Sequence, residues 1–322
     1  MDERGDDPVD AALEDVFSDR TVETVGETGP SWNDRNRTVR VAFRDADPVF
    51  LKVAVDGDGS RIARERAAID YVDKHCDVIV PTVLASEPDG AVPYLLTAPL
   101  GETLALEWGD RSDGERVDAI RQVGAALAAL HAHRFDHHGH VTGGNASGLE
   151  LETGIWTDVL VERIAWMREL ASSDRFDHHF DAVVGAVENN RGRLDEAPAT
   201  LVHGDPARPN CVRGEMGEAG FVDWELAHVG DPARELHRAE DQLLPETATN
   251  ASELRDALRE GYRRERGSIP EGFDDRAPIY DAVRQLGRSG FFDKWVTLTG
   301  EPEATVAKRV ESEMQRRLDA IQ

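Results

Sequence analysis

The sequence predicts an α+β chain of two lobes, a small antiparallel sheet carrying one helix followed by a larger, mainly helical part. Three observations support this. Strand-like runs fill residues 21–98, helical periodicity dominates almost everything after them, and the stretch Tyr94-Leu95-Leu96-Thr97-Ala98-Pro99-Leu100-Gly101 breaks the pattern between the two. At 322 residues the chain also exceeds the about 250–300 at which a single core stops growing. The expected division is residues 1–97 and 98–322, with a hinge near 94–101 and a cleft between the lobes.

In the first lobe, Thr21–Val25, Thr38–Phe43 and Val49–Val55 are rich in β-branched and apolar residues and are separated by Gly, Pro, Asn and Asp, which reads as a three-strand meander. Ser60 is the expected N-cap of a helix from Arg61 to about Lys74, with Ile62, Ala63, Ile69 and Val72 as its apolar stripe. Thr82–Glu87 and Val92–Thr97 then close the sheet. In the second lobe, Gly114 to about His133 carries Val117, Ile120, Val123, Leu127 and Leu130 at helical spacing. Further helices are expected near 155–171, 174–194, 231–243, 251–265, 276–289 and 302–321.

Charge narrows the partners. With 63 acidic against 37 basic residues the formal net charge is -26, and lysine occurs only at 52, 74, 294 and 308. Such a field repels nucleic acid and anionic membranes, so neither is an expected partner. The acids are spread along the whole chain; they resemble the salt-adapted surface of haloarchaeal cytosolic proteins more than a trap for a cationic substrate. Cys76 and Cys211 lie far apart with no C-x-x-C spacing, which fits a reducing cytosol. The start MDERGDDPVD lacks a basic, apolar leader, and nowhere do about 18 apolar residues run together. A cytoplasmic location is expected, and oligomeric state is left open.

The chemistry is concentrated in residues 203–210, HGDPARPN, followed after the apolar pair Phe221-Val222 by Asp223-Trp224-Glu225. A loop offering Asp205 and Asn210 five residues apart, then a strand ending in a second aspartate, suits phosphoryl transfer. One carboxylate orients and deprotonates an alcohol, while an amide oxygen and another carboxylate suit magnesium, which prefers oxygen ligands and keeps waters. A lone DPARPN could be a simple turn; His203, the fixed gap and Asp223 argue otherwise. Upstream, Lys52 lies in the strand VFLKVA and Glu65 on the expected helix thirteen residues later, so that a carboxylate could aim the ammonium at phosphates. Arg64 and Arg66 flank Glu65, so the pairing could fall a turn away.

With HGDxxxxN, the D-W-E triplet and Gly230-Asp231-Pro232 in order, residues 20–300 resemble the aminoglycoside phosphotransferase family, a small-molecule branch of the protein-kinase-like fold. The strand order expected for the first lobe is that of a kinase small lobe. The resemblance implies transfer of the γ-phosphoryl of ATP or GTP to a hydroxyl of a small molecule, with Asp205 as base, Asn210 and Asp223 as Mg²⁺ ligands, and Lys52 as phosphate clamp. Glu65, Ser31, Leu96 and Ala98 would join the nucleotide site. His203 would hold the loop backbone and Asp231 would tighten the core through backbone hydrogen bonds. Gly204 replaces the arginine of protein kinases, no A-P-E segment follows Asp223, and the loop Gly26–Asn33 has only two glycines, so it reads as a phosphate cover or a plain hairpin. Arg234-Glu235-Leu236 follows the GDP turn where relatives often place an aspartate.

The acceptor is open among amino sugars, aminoalcohols and glycated amines. The resemblance places its pocket around Trp156, Trp166, Glu225 and Phe291-Phe292-Asp293-Lys294-Trp295. Individually, these aromatics also suit core packing. The dense histidines His131, His133, His137, His138 and His140 complete no tetrahedral zinc set, and are expected as solvated imidazoles at a capped helix end. The rival readings are a catalytically silent nucleotide-binding scaffold and a protein-serine kinase.

Overall fold

The computed structural model describes residues 7–27, 35–244 and 250–321. It opens with a helix the periodicity analysis did not identify, α1 (Pro8–Val16), started by the Asp7 carboxylate accepting the Val9 N–H at 2.9 Å with proline in the first turn. Strands β1 (Val22–Glu27), β2 (Asn36–Phe43), β3 (Val49–Ala54), β4 (Val83–Glu87) and β5 (Tyr94–Thr97) form one antiparallel sheet in the order β1-β2-β3-β5-β4. Side chains alternate across it. Val39, Val41, Leu51, Val53 and Leu96 bury one face against α1 through Val9 and Ala12. Lys52, paired with Leu95, lies on the opposite face.

That second face receives α2 (Ser60–His75), whose Ile62, Ile69 and Val72 join Leu95 in the main core. Ser60 is not its cap. The Asp58 carboxylate accepts the Ser60 N–H at 3.0 Å and Gly59 takes the cap position, because a longer loop folds its own aspartate back onto the helix start.

Beyond β5 come α3 (Leu104–Glu107) and α4 (Asp113–Leu130), the latter opened by a reciprocal capping box between Ser112 and Glu115. A hairpin follows, β6 (His138–Asn145) and β7 (Gly148–Gly154). Its glycines and the Asn145 side chain accepting the Ser147 N–H at 2.7 Å favour a turn over helix. Next are α5 (Trp156–Leu170), α6 (Asp177–Asn189) and α7 (Arg191–Leu194); the single helix expected over 174–194 breaks at Asn190. Three-residue strands β8 (Thr200–Val202), β9 (Cys211–Arg213), β10 (Ala219–Phe221) and β11 (His228–Gly230) then build a β7-β6-β11-β8 sheet and a β10-β9 ribbon. The remainder is α8 (Pro232–Leu243), α9 (Ala251–Arg266), α10 (Phe273–Gly290), α11 (Phe292–Trp295) and α12 (Glu303–Asp319).

The backbones of α4 and α9 approach so closely that a Cβ added at Gly124 would lie 2.0 Å from the Leu258 carbonyl oxygen, and one at Gly261 1.9 Å from that of Arg121. Among the described residues no helix is long and apolar enough to cross a membrane.

Candidate active site

The loop after β8 is held from beneath. His203 is fully buried; its Nδ1 accepts the Asp205 N–H at 3.2 Å and its Nε2–H is donated to the Val222 carbonyl at 3.0 Å. Burial lowers its pKa, so the ring is neutral, in the tautomer that satisfies both bonds. Gly204 has φ 87°, and a Cβ there would meet the Leu226 carbonyl oxygen at 2.4 Å. An arginine at this position is sterically barred.

Glu235 on α8 completes the support. Its carboxylate accepts the His203 N–H at 2.9 Å, the Gly204 N–H at 2.6 Å and His131 Nε2 at 3.0 Å, while His131 Nδ1 contacts the Tyr262 hydroxyl at 2.9 Å. Burial alone would raise the pKa of Glu235, but these donors outweigh it and hold the carboxylate below its ordinary value. Asp231 does take a backbone N–H, but at the start of α8 and not in the catalytic loop. It caps α8 through the Ala233 N–H at 2.8 Å and takes Arg276 (2.6 and 3.2 Å) and the Tyr280 hydroxyl (2.5 Å). The longer side chain at 235, one turn on, reaches the catalytic loop instead.

Asp205 has two distinct sides. Oδ2 accepts Asn210 Nδ2 at 3.1 Å, whereas Oδ1 accepts Arg238 Nη2 at 2.8 Å and Gln242 Nε2 at 2.5 Å. Burial opposes ionisation, yet the Arg238 guanidinium and the Gln242 amide keep the acid below the usual range. Asn210 also donates to the Asp205 backbone carbonyl at 3.0 Å, which fixes its amide with Nδ2 toward Asp205 and Oδ1 away. Its own carbonyl accepts the Val222 N–H at 2.9 Å, tying the loop to the residue before Asp223.

Asp223 has φ 66° and ψ 61°, the only non-glycine residue with positive φ among the described residues. This left-handed turn aims its carboxylate back at Lys52, 2.5 Å away. Lys52 Nζ also lies 2.6 Å from Glu65 and 2.9 Å from Glu225. Glu65 further accepts the Trp224 N–H at 3.2 Å, so α2, β3 and the Asp223 turn are joined through one side chain. Arg64 and Arg66 turn elsewhere, to the Val141 and Glu225 carbonyls and to Asp70.

Three carboxylates around one ammonium share its charge unequally. Burial would lower the lysine pKa, but Asp223, Glu225 and Glu65 together raise it well above its ordinary value. Burial and mutual repulsion push Glu65 up to about 7 and raise Asp223 as well. Glu225 resists the same burial because Lys52, Asn36 (2.6 Å) and Arg61 (3.5 Å) all face it, and it stays at about 2.

Lys52, Glu65, Asp205, Asn210, Asp223 and His203 therefore occupy one connected region. Ser31 lies outside the described residues. The Leu96 side chain is buried on the sheet face opposite Lys52, so only its backbone and that of Ala98, whose N–H is bonded to the Thr82 carbonyl at 2.9 Å, can line the hinge.

Other expectations are corrected. Glu225 belongs to the Lys52 cluster and not to an acceptor pocket, since the turn after Asp223 folds it under the small sheet. Trp156 is fully buried, donating to the Tyr280 hydroxyl at 2.9 Å, and Phe292 packs in a separate core with Phe176 and Val306. Trp166 lies under the Arg61 guanidinium at 4.8 Å. The histidines are not uniformly solvated: His131 and His138 are buried, the first against Glu235 and the second at the start of β6. Asn36, Glu235, Arg238 and Gln242 were missed by the sequence reading. Only the arginine and glutamate after the GDP turn gave any signal there, as a departure from the family pattern.

The sequence profile of the phosphotransferase enzyme family matches residues 28–279, spanning both the sheet and the catalytic loop. The chain belongs to the phosphotransferase enzyme family. Among solved structures, this phosphotransferase is similar to a fructosamine-3-kinase candidate from Thermobifida fusca (21% identity, TM-score 0.58, covering 95% of this chain and 98% of that one). It also resembles a thermostable mutant of aminoglycoside phosphotransferase APH(4)-Ia (17%, 0.62, 96% and 96%), an enzyme also solved with ADP and hygromycin B. A fructosamine-3-kinase candidate from Haemophilus somnus shares 13% identity at a TM-score of 0.62, covering 97% of this chain and 95% of that one. None of the curated proteins matches this phosphotransferase. At these identities the likeness shows the fold, a bilobal protein-kinase-like one.

Proposed function

We propose that this phosphotransferase moves the γ-phosphoryl of ATP, or of GTP, to a hydroxyl of a small molecule. The observation carrying the reading is the path of hydrogen bonds and one peptide link from Lys52 through Asp223, Val222 and Asn210 to Asp205, which joins the ammonium to a candidate base across two lobes. We place the boundary between the lobes after Thr97, where β5 ends, and the protein in a reducing cytosol, a reading supported by its two free cysteines.

In this reading Asp205 orients the acceptor hydroxyl and takes its proton as the new O–P bond forms and the bond from the γ-phosphorus to the bridging oxygen breaks, releasing ADP or GDP. Lys52, held by Glu65 and Glu225, presents its ammonium to the nucleotide phosphates. His203 and Glu235 keep the loop backbone in register so that Asp205 approaches from a fixed direction. The oxygen donors at Asn210 and Asp223 fit Mg²⁺: the Asn210 amide presents its oxygen away from Asp205, and the Lys52 cluster has more carboxylates than cations. When bound there, the ion would supply charge neutralisation for the phosphates. We assign the backbone at Leu96 and Ala98 to the nucleobase side, a reading supported by their place at the end of β5.

The test compares wild type with Asp205→Asn for magnesium-dependent transfer and for nucleotide binding. Loss of a positioned base typically costs about 10²–10⁴-fold in rate, with nucleotide binding retained. Equal turnover in the two proteins would remove Asp205 from this role. Binding without turnover in wild type would favour a silent scaffold.

A further inference from the structure

Two helices remote in sequence, α6 and α12, bring two imidazoles onto one carboxylate. His178 Nε2 lies 3.2 Å from each oxygen of Glu311, and His179 Nε2 lies 3.3 Å from its Oε2. Single histidine–carboxylate pairs occur elsewhere, His140 with Glu162 and His237 with Asp281. Only here, among the described residues, do ligand atoms of two histidines and an acid close within 4.8 Å of one another. No sequence pattern announces the group, because 132 positions separate His179 from Glu311.

The His179 ring is oriented by the protein itself. It is 2% exposed, stacks on Phe176 with centroids 5.1 Å apart, and meets the His178 ring edge-on at 4.5 Å. Ser289 Oγ has an acceptor of its own in the Gln285 carbonyl at 3.3 Å, so it receives the His179 Nδ1–H at 2.8 Å. That assigns the lone pair to Nε2, which faces the Glu311 carboxylate. Two lone pairs at this distance repel, and a positive species between them, a proton or a metal ion, is required. Burial lowers the His179 pKa against the pull of Glu311, which disfavours the proton.

Spacing and ligand chemistry favour the metal. Ligand atoms about 2.0–2.1 Å from a tetrahedral ion stand about 3.3 Å apart along each edge. The observed 3.2 and 3.3 Å match that edge and are long for a charge-assisted hydrogen bond, about 2.7–2.9 Å. Two imidazole nitrogens with one carboxylate oxygen suit Zn²⁺, whereas Mg²⁺ and Ca²⁺ take oxygen ligands. The Ser289 hydroxyl holding the second ring nitrogen of His179 is the support a ligating histidine needs. We propose that His178 Nε2, His179 Nε2 and the Glu311 carboxylate bind one Zn²⁺, with water as the fourth ligand. His178 and Glu311 are more than half exposed, which gives the ion an entry path and the water its room. The ion ties α6 to α12 beside the separate core of Phe176, Phe292, Val306 and Val310, and so holds the C-terminal helix in place. This site is independent of the kinase reading.

Calorimetric titration with Zn²⁺ tests it. The full chain is stripped with a chelator, returned to a buffer with excess Mg²⁺ to fill oxygen-ligand sites, and titrated as wild type, His178→Gln, Glu311→Gln and the control His140→Gln. Both replaced ligands are solvent-facing, so neither variant threatens the fold. Loss of a ligand is expected to weaken Zn²⁺ by at least the about 10–100-fold that losing a supporting partner costs, in both cluster variants and not in the control. Zn²⁺ should also raise the Tm of wild type and of His140→Gln but not of the cluster variants, and Co²⁺ in wild type should show the intense visible bands of a four-coordinate ion. No Zn²⁺ uptake by wild type, or an affinity unchanged in either cluster variant, overturns the site and leaves a plain ion pair. Zn²⁺ bound through these residues without a rise in Tm would remove its role in holding α12.

Discussion

Replacing Glu235 by alanine tests how the catalytic loop is held. The carboxylate is 1% exposed and accepts two buried backbone N–H groups, at 2.9 and 2.6 Å, as well as His131. Each orphaned buried donor costs about 1–3 kcal/mol, so Glu235→Ala is expected to lose roughly 4 kcal/mol, with His131 keeping its Tyr262 contact. Glu235→Gln retains one acceptor oxygen but turns an NH₂ toward the other amide, and is expected to lose about half as much. Urea unfolding followed by tryptophan fluorescence reads the difference, since Trp224 packs 4.5 Å from the His203 ring. With m near about 2–3 kcal/mol/M, the alanine midpoint falls by roughly 1.5 M. The pH dependence is a second check. A carboxylate held below its unfolded value contributes stability that is present above about pH 4.3 and lost as pH falls through its folded pKa. The gap between wild type and Glu235→Gln should therefore be full at pH 7 and shrink in acid. A midpoint unchanged at pH 7 in both variants would show that the loop is held by something else.

Gly261→Ala would drive a Cβ into the Arg121 carbonyl and is expected to cost about 1–3 kcal/mol or more in thermal unfolding; Gly114→Ala, with nothing within 4 Å, should cost nothing, and equal behaviour of the two would refute the close-approach account. His228 is buried neutral, so the unfolded chain takes up its proton first. Stability should fall below about pH 6.5 by up to about 1.4 kcal/mol per pH unit from this residue and not change above it for this reason. His228→Gln should flatten that slope, and an unaltered slope would assign the acid loss to other groups. A net charge of -26 repels itself, so Tm should rise as KCl goes from about 0.1 to 1 M and the Debye length falls from about 10 to 3 Å; a flat or falling Tm would contradict this.

What was legible in the sequence is what local pattern encodes. The β-branched and apolar run VFLKVA gave β3, and the spacing within HGDPARPN located the loop that carries Asp205 and Asn210. Strands β8 to β11 have three residues each, too few for a period to register, and the glycines of the β6–β7 hairpin carry no apolar alternation. Helix α1 began with a readable signal, aspartate then proline, but its nine residues lie in an acid-rich segment whose burial depends on the sheet that follows. The roles of Glu225 and Glu235 could not be read at all, because their partners are remote: Asn36 lies 189 positions from Glu225, and His131 104 from Glu235. Histidine burial failed for the same reason, being decided by what packs on the ring.

Two residues with left-handed backbone and an unbalanced charge cluster lie close to Asp205. Gly204 and Asp223, both with positive φ, flank it in the fold. On one side a single ammonium faces three carboxylates, an excess of negative charge that the Arg61 guanidinium only partly offsets. On the other, Arg238 and Gln242 donate to Oδ1 of Asp205. A chain folded for stability alone would not gather three carboxylates on one buried ammonium, since leaving buried charges unmatched costs several kcal/mol.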